Sequence, residues 1–153
     1  MKKMQKKCGC LAEDTKIFMA DGSRKDIQHV RIGDRVWCNT GAGILMVANV
    51  WKGWEDECLT VQTEGGLEIT VTKDHPIHLQ EGFLRAGELK ENDRIMTVRG
   101  FEAVRYVIPQ KYNGYVYNFD LEAGRGSGDN GEITMIANGI VVGDMMIQQK
   151  LSK

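Results

Sequence analysis

Seven residues near the front of the chain are written again, in altered form, past its middle. Val30-Arg31-Ile32-Gly33-Asp34-Arg35-Val36 aligns with Leu89-Lys90-Glu91-Asn92-Asp93-Arg94-Ile95, which keeps apolar ends, a turn former and an Asp-Arg pair. Glu68-Ile69-Thr70-Val71 matches Glu132-Ile133-Thr134-Met135, and between them Cys58 to Thr63 corresponds to Tyr117 to Ala123. One such match arises by chance in a chain rich in Val, Ile and Thr. Three in the same order imply two copies of one supersecondary unit, and hence two β-subdomains related by a pseudo-two-fold.

The local signals agree. Eighteen glycines against two prolines, with short β-branched runs between them, predict many short strands joined by tight turns. No window holds an i, i+3, i+4, i+7 apolar pattern for three turns, so the chain reads as all-β. Strands are expected at Thr15 to Ala20, Ser23 to Ile27, Arg35 to Cys38, Ile44 to Trp51, Glu57 to Thr63 and Leu67 to Thr72. Asp21–Gly22 suits a hairpin turn with positive φ at both central positions, and Gly33 supplies the unusual φ of a tight turn over Val30 to Asp34. Asn39 to Gly43 is expected to be a loop, and Lys52 to Asp56 a connection. Glu64-Gly65-Gly66 forms another hairpin turn, and Pro76 ends extended pairing. The glycine-rich run in Ala123 to Gly131 reads as a mobile loop that interrupts a hairpin.

At 153 residues one domain with a sizeable core is expected. A net charge of -1 with dispersed charges points to no nucleic-acid partner. The basic cluster Met1 to Lys7 reads as a solvated end; no apolar run follows it as a secretory signal requires. No stretch is long enough for a transmembrane helix, so no membrane partner is expected and the default compartment is the cytoplasm. Four cysteines (Cys8, Cys10, Cys38, Cys58) make no disulfide framework in a domain of this size. Cys8, Cys10, His75 and His78 do not follow the usual zinc-ligand spacing, so neither a metal nor another cofactor is expected.

The residues able to do chemistry lie at three places. Gly9-Cys10-Leu11-Ala12-Glu13-Asp14-Thr15 sets a thiol after a glycine, whose carbonyl carries no side chain to block attack. Cys10 reads equally as a small buried apolar residue. Thr72-Lys73-Asp74-His75 follows a predicted strand. Breaking an amide with a thiol requires a proton donor for the departing amine and a stabiliser for the oxyanion, which a histidine and a threonine hydroxyl can supply. Asp74 reads as facing water beside Lys73, and His29 and His78 as structural or surface residues. Near the end stands Ala137-Asn138-Gly139-Ile140-Val141-Val142-Gly143-Asp144.

Taken in this order, the motifs resemble the Hint superfamily of hedgehog and intein domains over Cys10 to Asp144. The first segment resembles its nucleophile motif, Thr72 to His75 its Thr-x-x-His motif, and Ala137 to Asp144 its final motif. Tyr117-Asn118-Phe119-Asp120-Leu121-Glu122 resembles the motif before it, in which an acid often stands. That acid aligns either with Asn118, where it is missing, or with Asp120, and the two lie on one face of a strand. The resemblance implies an all-β horseshoe of two pseudo-two-fold related subdomains. It divides the chain into an upstream segment 1–9, a Hint domain 10–144 and a C-terminal extension 145–153 that is polar or a frayed helix.

The implied activity is autoprocessing by a bacterial intein-like, non-splicing variant. Cys10 attacks the Gly9 carbonyl to give a thioester, His75 protonates the Cys10 nitrogen, Thr72 helps to hold the oxyanion, and Asp120 is a candidate acid. The partners are then the chain's own flanking polypeptide and water or a small nucleophile, and a monomer is expected. Gly143 stands where splicing inteins carry histidine and Asp144 where they carry asparagine; Met145 offers no thiol or hydroxyl. The rival readings are a Hint-fold binding or scaffold module without chemistry, and a thiol hydrolase acting in trans.

Overall fold

The computed structural model describes residues 2–3, 9–38, 43–123, 133–145 and 147. Its strands are β1 (Lys2–Lys3), β2 (Leu11–Ala12), β3 (Lys16–Phe18), β4 (Arg24–Asp26), β5 (Arg35–Trp37), β6 (Ile44–Thr63), β7 (Glu68–Val71), β8 (Pro76–Leu79), β9 (Gly82–Arg85), β10 (Arg94–Thr97), β11 (Gly100–Ala123), β12 (Thr134–Ala137) and β13 (Ile140–Gly143). Short 3-10 turns at Ile27–His29 and Ala86–Glu88 complete the described elements. Among the described residues, no helix is long and apolar enough to cross a membrane.

The internal repeat holds hydrogen bond by hydrogen bond. Val30 N–H donates to Ile27 O at 3.2 Å, and Leu89 N–H to Ala86 O at 3.2 Å. The Asp34 carboxylate accepts from Arg31 N–H at 3.0 Å, and that of Asp93 from Lys90 N–H at 2.8 Å. Gly33 N–H reaches Val47 O at 2.9 Å, while Asn92 N–H reaches Val104 O at 2.8 Å. The matched turn formers share a left-handed backbone, with φ of 95° at Gly33 and 76° at Asn92. That is why glycine can be exchanged for asparagine there and for few other residues. The match is looser at β7 and β12: β12 starts two residues beyond the sequence match, and it pairs with β13 and β3 whereas β7 pairs with β6 and β2.

The equivalent strands β6 and β11 pair antiparallel with each other along nearly their whole length, with three register shifts. Lys52 to Glu55 continues this ladder, opposite Tyr117 to Gly114, so the expected connection between two strands is instead the middle of one 20-residue strand. Cross-strand packing holds it: the Trp54 and Tyr115 rings meet edge to face at 5.2 Å, and the Lys52 ammonium lies 3.9 Å from the Tyr115 ring centre. One large apolar core, including Ile17, Ile69, Ile95, Phe119 and Ile140, fills the interior.

Other local expectations change. Gly22 takes positive φ but Asp21 does not; the Asp21 carboxylate instead accepts from Ser23 N–H at 2.9 Å. Pro76 opens β8 opposite Arg85 rather than ending pairing, a place where a strand does not need its missing N–H. The basic cluster is not simply a solvated end, because the Lys2–Lys3 backbone pairs in parallel with Trp51–Lys52 of β6. Met145 and Ile147 are buried rather than frayed, since both pack into the domain. The remainder of the extension, the 39–42 part of the expected loop, and 124–131 of the glycine-rich run lie outside the described residues.

Candidate active site

The site is made where the start of the domain enters between the two repeats. β7 and β11 both pair with β6, and β2 fills the gap between them, so the four strands close on one another. Leu11 pairs with Val71 on one side and Tyr117 on the other. Continuing that register backwards puts Cys10 level with Thr72 and with Asn118.

The resulting contacts hold both ends of the Gly9–Cys10 peptide group. Cys10 N–H donates to Thr72 Oγ1 at 2.8 Å, and Thr72 N–H donates back to Cys10 O at 2.9 Å. The Asn118 amide donates from Nδ2 to Gly9 O at 2.6 Å. Thr72 therefore meets the nitrogen side of the bond, and Asn118 meets the carbonyl oxygen that Thr72 was expected to serve. Gly9 itself is required by crowding: a Cβ there would lie 2.5 Å from His75 Cα and 2.7 Å from Asp74 O. Glycine here thus serves the close approach of two backbones as well as open access to its carbonyl.

His75 is wholly buried, and burial pushes its pKa down to about 4; the nearby Gly9 and Gly143 backbones raise it but do not outweigh desolvation. Among the described residues, neither of its ring nitrogens reaches a hydrogen-bond partner, so those two backbone contacts are weak ones. The imidazole is thus neutral at neutral pH: a weak base with an open lone pair, not an acid already carrying the proton to give. Cys58 packs in a small cluster with Cys10 and Val116. Burial, then Glu55 and Glu57, push the Cys58 thiol up to about 11, which keeps it protonated.

A stability prediction follows from His75. An unfolded histidine titrates near 6.5, so between about pH 6.5 and 4 the unfolded chain binds a proton that the folded chain does not. Stability should therefore fall as pH drops through that window, by about 3 kcal/mol at most, and this contribution should level off below about pH 4. Urea unfolding at pH 7 and pH 4.5 checks it: His75→Gln should lose less stability than the unaltered chain over the same interval. Equal losses would remove His75 as the cause.

Of the other expected residues, Gly143 lies beside His75 and the rest are engaged elsewhere. The Asp120 carboxylate accepts from Asn49 Nδ2 at 2.9 Å and from Trp51 Nε1 at 3.1 Å, and ties the ladder together instead of meeting Gly9. Asn138 and Gly139 form the turn between β12 and β13, with φ of 52° and 83°. Asn138 also stitches that turn to β3, accepting from Lys16 N–H at 2.7 Å. Gly143 lies against Pro76 and Ile147. The buried Asp144 carboxylate accepts from Leu121 N–H at 3.0 Å and from Ile147 N–H at 3.1 Å, the second as an aspartate caps a helical turn. His78 packs edge to face on Phe83, and His29 is exposed. Asp74 lines a small surface cleft with Lys73 and Cys58. Among the described residues, no three His, Cys, Asp or Glu side chains are placed to hold a metal, and Cys8 lies outside those residues.

No family model matches the chain. It is 27% identical over 108 residues to the tRNA-splicing ligase RtcB of Methanocaldococcus jannaschii, a match to 65% of this chain but only 11% of that protein. Solved structures match it in shape over most of its length. The gp41-1 intein superposes with a TM-score of 0.73 at 21% identity, covering 90% of this chain and 100% of its own. A DnaB intein from Synechocystis gives 0.73 at 18% identity, over 89% of this chain and 98% of its own. A bacterial intein-like domain from Clostridium thermocellum gives 0.72 at 23% identity, over 88% and 98% respectively. The fold is therefore the all-β Hint horseshoe of inteins and intein-like domains.

Proposed function

We propose that this Hint-fold domain is an autoprocessing domain that breaks the peptide bond between Gly9 and Cys10. The observation that carries the reading is the Gly9–Cys10 peptide group itself. Buried side chains hold its N–H and its C=O, next to a buried neutral histidine.

The chemistry balances within the site. Neutral His75 takes the proton of the Cys10 thiol, and the thiolate attacks the Gly9 carbonyl carbon. A tetrahedral intermediate forms with its negative charge on the former carbonyl oxygen. As it collapses, the carbon–nitrogen bond breaks and the imidazolium returns its proton to the Cys10 nitrogen. The product is a thioester between Gly9 and the Cys10 sulfur, with a free amine on Cys10. Water or an external thiol then attacks that thioester and releases everything upstream. His75 thus acts first as base and then as acid, which a pKa well below neutrality permits and a permanently charged histidine does not. Thr72, holding the Cys10 nitrogen, orients the leaving group while it changes from amide to amine.

The test is a fusion of a marker protein ahead of Met1, incubated with dithiothreitol and followed by intact mass. The expected products are the marker extended to Gly9 and a fragment beginning at Cys10. An unchanged mass would overturn autoprocessing and favour the scaffold reading, which the structural employment of Gly143 and Asp144 already supports at the other end. Turnover of an added ester without self-cleavage would favour the hydrolase.

A further inference from the structure

The motifs assign the oxyanion to the Thr72 hydroxyl, but the Gly9 carbonyl oxygen has a neighbour to which they give no such role. Thr72 Oγ1 accepts from Cys10 N–H on the nitrogen side of the bond, while Asn118 Nδ2 donates to the Gly9 oxygen. We propose that Asn118 is a catalytic residue whose side-chain N–H polarises the Gly9 carbonyl and then holds the oxyanion formed on it. The assignment rests on the autoprocessing reading for its reaction, and on the geometry for its residue.

Three observations carry it. Asn118 is fully buried, and its Nδ2 lies 2.6 Å from Gly9 O, at the short end for N–H···O bonds. The orientation of the amide is locked, since Asn118 Oδ1 accepts from Phe119 N–H at 2.8 Å. With oxygen committed to a donor on one side, nitrogen must face Gly9 on the other. Finally, Asn118 sits on the central ladder opposite Trp51, so the donor is mounted on the most extensively paired strand of the fold. A donor fixed before the reaction need not reorganise as charge develops, and burial of the site strengthens its effect.

The position also reverses the expectation raised by the motif. An acid at Asn118 would set a second acceptor against the Gly9 oxygen and oppose the negative charge that must appear there. An amide at this place supplies a donor instead.

Two readouts test the assignment. In a fusion with Cys10 intact, Asn118→Ala should slow release of the marker by about 10²–10³, the effect of losing one oxyanion donor. Asn118→Asp keeps the acceptor for Phe119 N–H and can donate only when protonated. Its rate relative to the unaltered chain should therefore fall as pH rises, a dependence that a purely structural role would not produce. The second readout needs no activity. In Cys10→Ala protein carrying a ¹³C-labelled Gly9 carbonyl, Asn118→Ala should raise the carbonyl stretching frequency as the hydrogen bond is lost. Cleavage at an unchanged rate in Asn118→Ala, or an unchanged carbonyl frequency in a folded variant, would overturn the proposal. Failure of the unaltered chain to cleave would overturn the functional reading, while the carbonyl measurement would still decide whether Asn118 polarises Gly9.

Discussion

Cys10→Ala should leave the Gly9–Cys10 bond intact under any thiol treatment, and His75→Ala should slow its cleavage by about 10²–10⁴. The first effect is complete because alanine carries no sulfur to attack the Gly9 carbonyl. Cys58, although in the same small cluster, has its thiol pushed up to about 11 and stays protonated. The variant should also fold, since alanine is smaller than the buried thiol it replaces and carries no polar group. The second effect is finite because water entering the vacated space can carry some of the proton traffic. His75 adds a signature in pH: with a pKa of about 4, it stays neutral through the range in which an exposed histidine becomes charged. The cleavage rate should therefore show no inflection near pH 6.5. Tagged fusions of the unaltered chain and the two variants, read by intact mass across pH 5 to 8, check all three expectations. Cleavage at Gly9–Cys10 in Cys10→Ala would mean that sulfur is not the nucleophile.

The parts of this fold that were legible in the sequence are those written locally and then repeated. The turn over Val30 to Asp34 needs an Asp to accept from the residue three before it and a residue tolerant of positive φ, and both copies carry these. The long strand β6 was not legible across Lys52 to Asp56, because its polar residues there lie on an exposed part of the ladder. What sustains pairing is Tyr115 and its neighbours on β11, more than fifty residues away in sequence. The same limit explains Asn118 and Asp120. Alternation sets both on one face, and only the register of β2 against β11, with Leu11 opposite Tyr117, puts Asn118 level with Cys10 and within reach of the Gly9 oxygen. Cys10, Thr72 and His75 could be found because each stands in its own short motif. The role of Thr72 could not, since a hydroxyl accepts as readily as it donates, and its partner is set by the tertiary fold.

The second large effect is an asymmetry: a chain tagged at both ends should lose its front tag, yet yield neither a ligated product nor efficient release after Asp144. Cleavage at the back of such a domain by cyclisation needs a side-chain amide nitrogen to attack its own backbone carbonyl and close a succinimide. Asp144 offers carboxylate oxygens, whose ring closure would give a strained anhydride, and here they are already engaged with Leu121 N–H and Ile147 N–H. Met145 offers no acceptor for a transferred chain. Restoring the missing residue types should not restore the reaction. A side chain at Gly143 would bring its Cβ within 2.8 Å of Ile147 Cβ and 2.9 Å of Pro76 Cγ, so Gly143→His must displace the segment that follows it. Asp144→Asn keeps one acceptor oxygen but turns the other group into a donor, facing one of two backbone N–H groups that both require acceptors. The double variant Gly143→His/Asp144→Asn should therefore be less stable, with overpacking alone worth about 1–3 kcal/mol, and remain uncut at its back end. Urea unfolding and mass spectrometry of the doubly tagged protein read both outcomes together. A ligated product of the two tags, or efficient release after position 144 in either form, would show that the second repeat keeps a reaction that its packing here opposes.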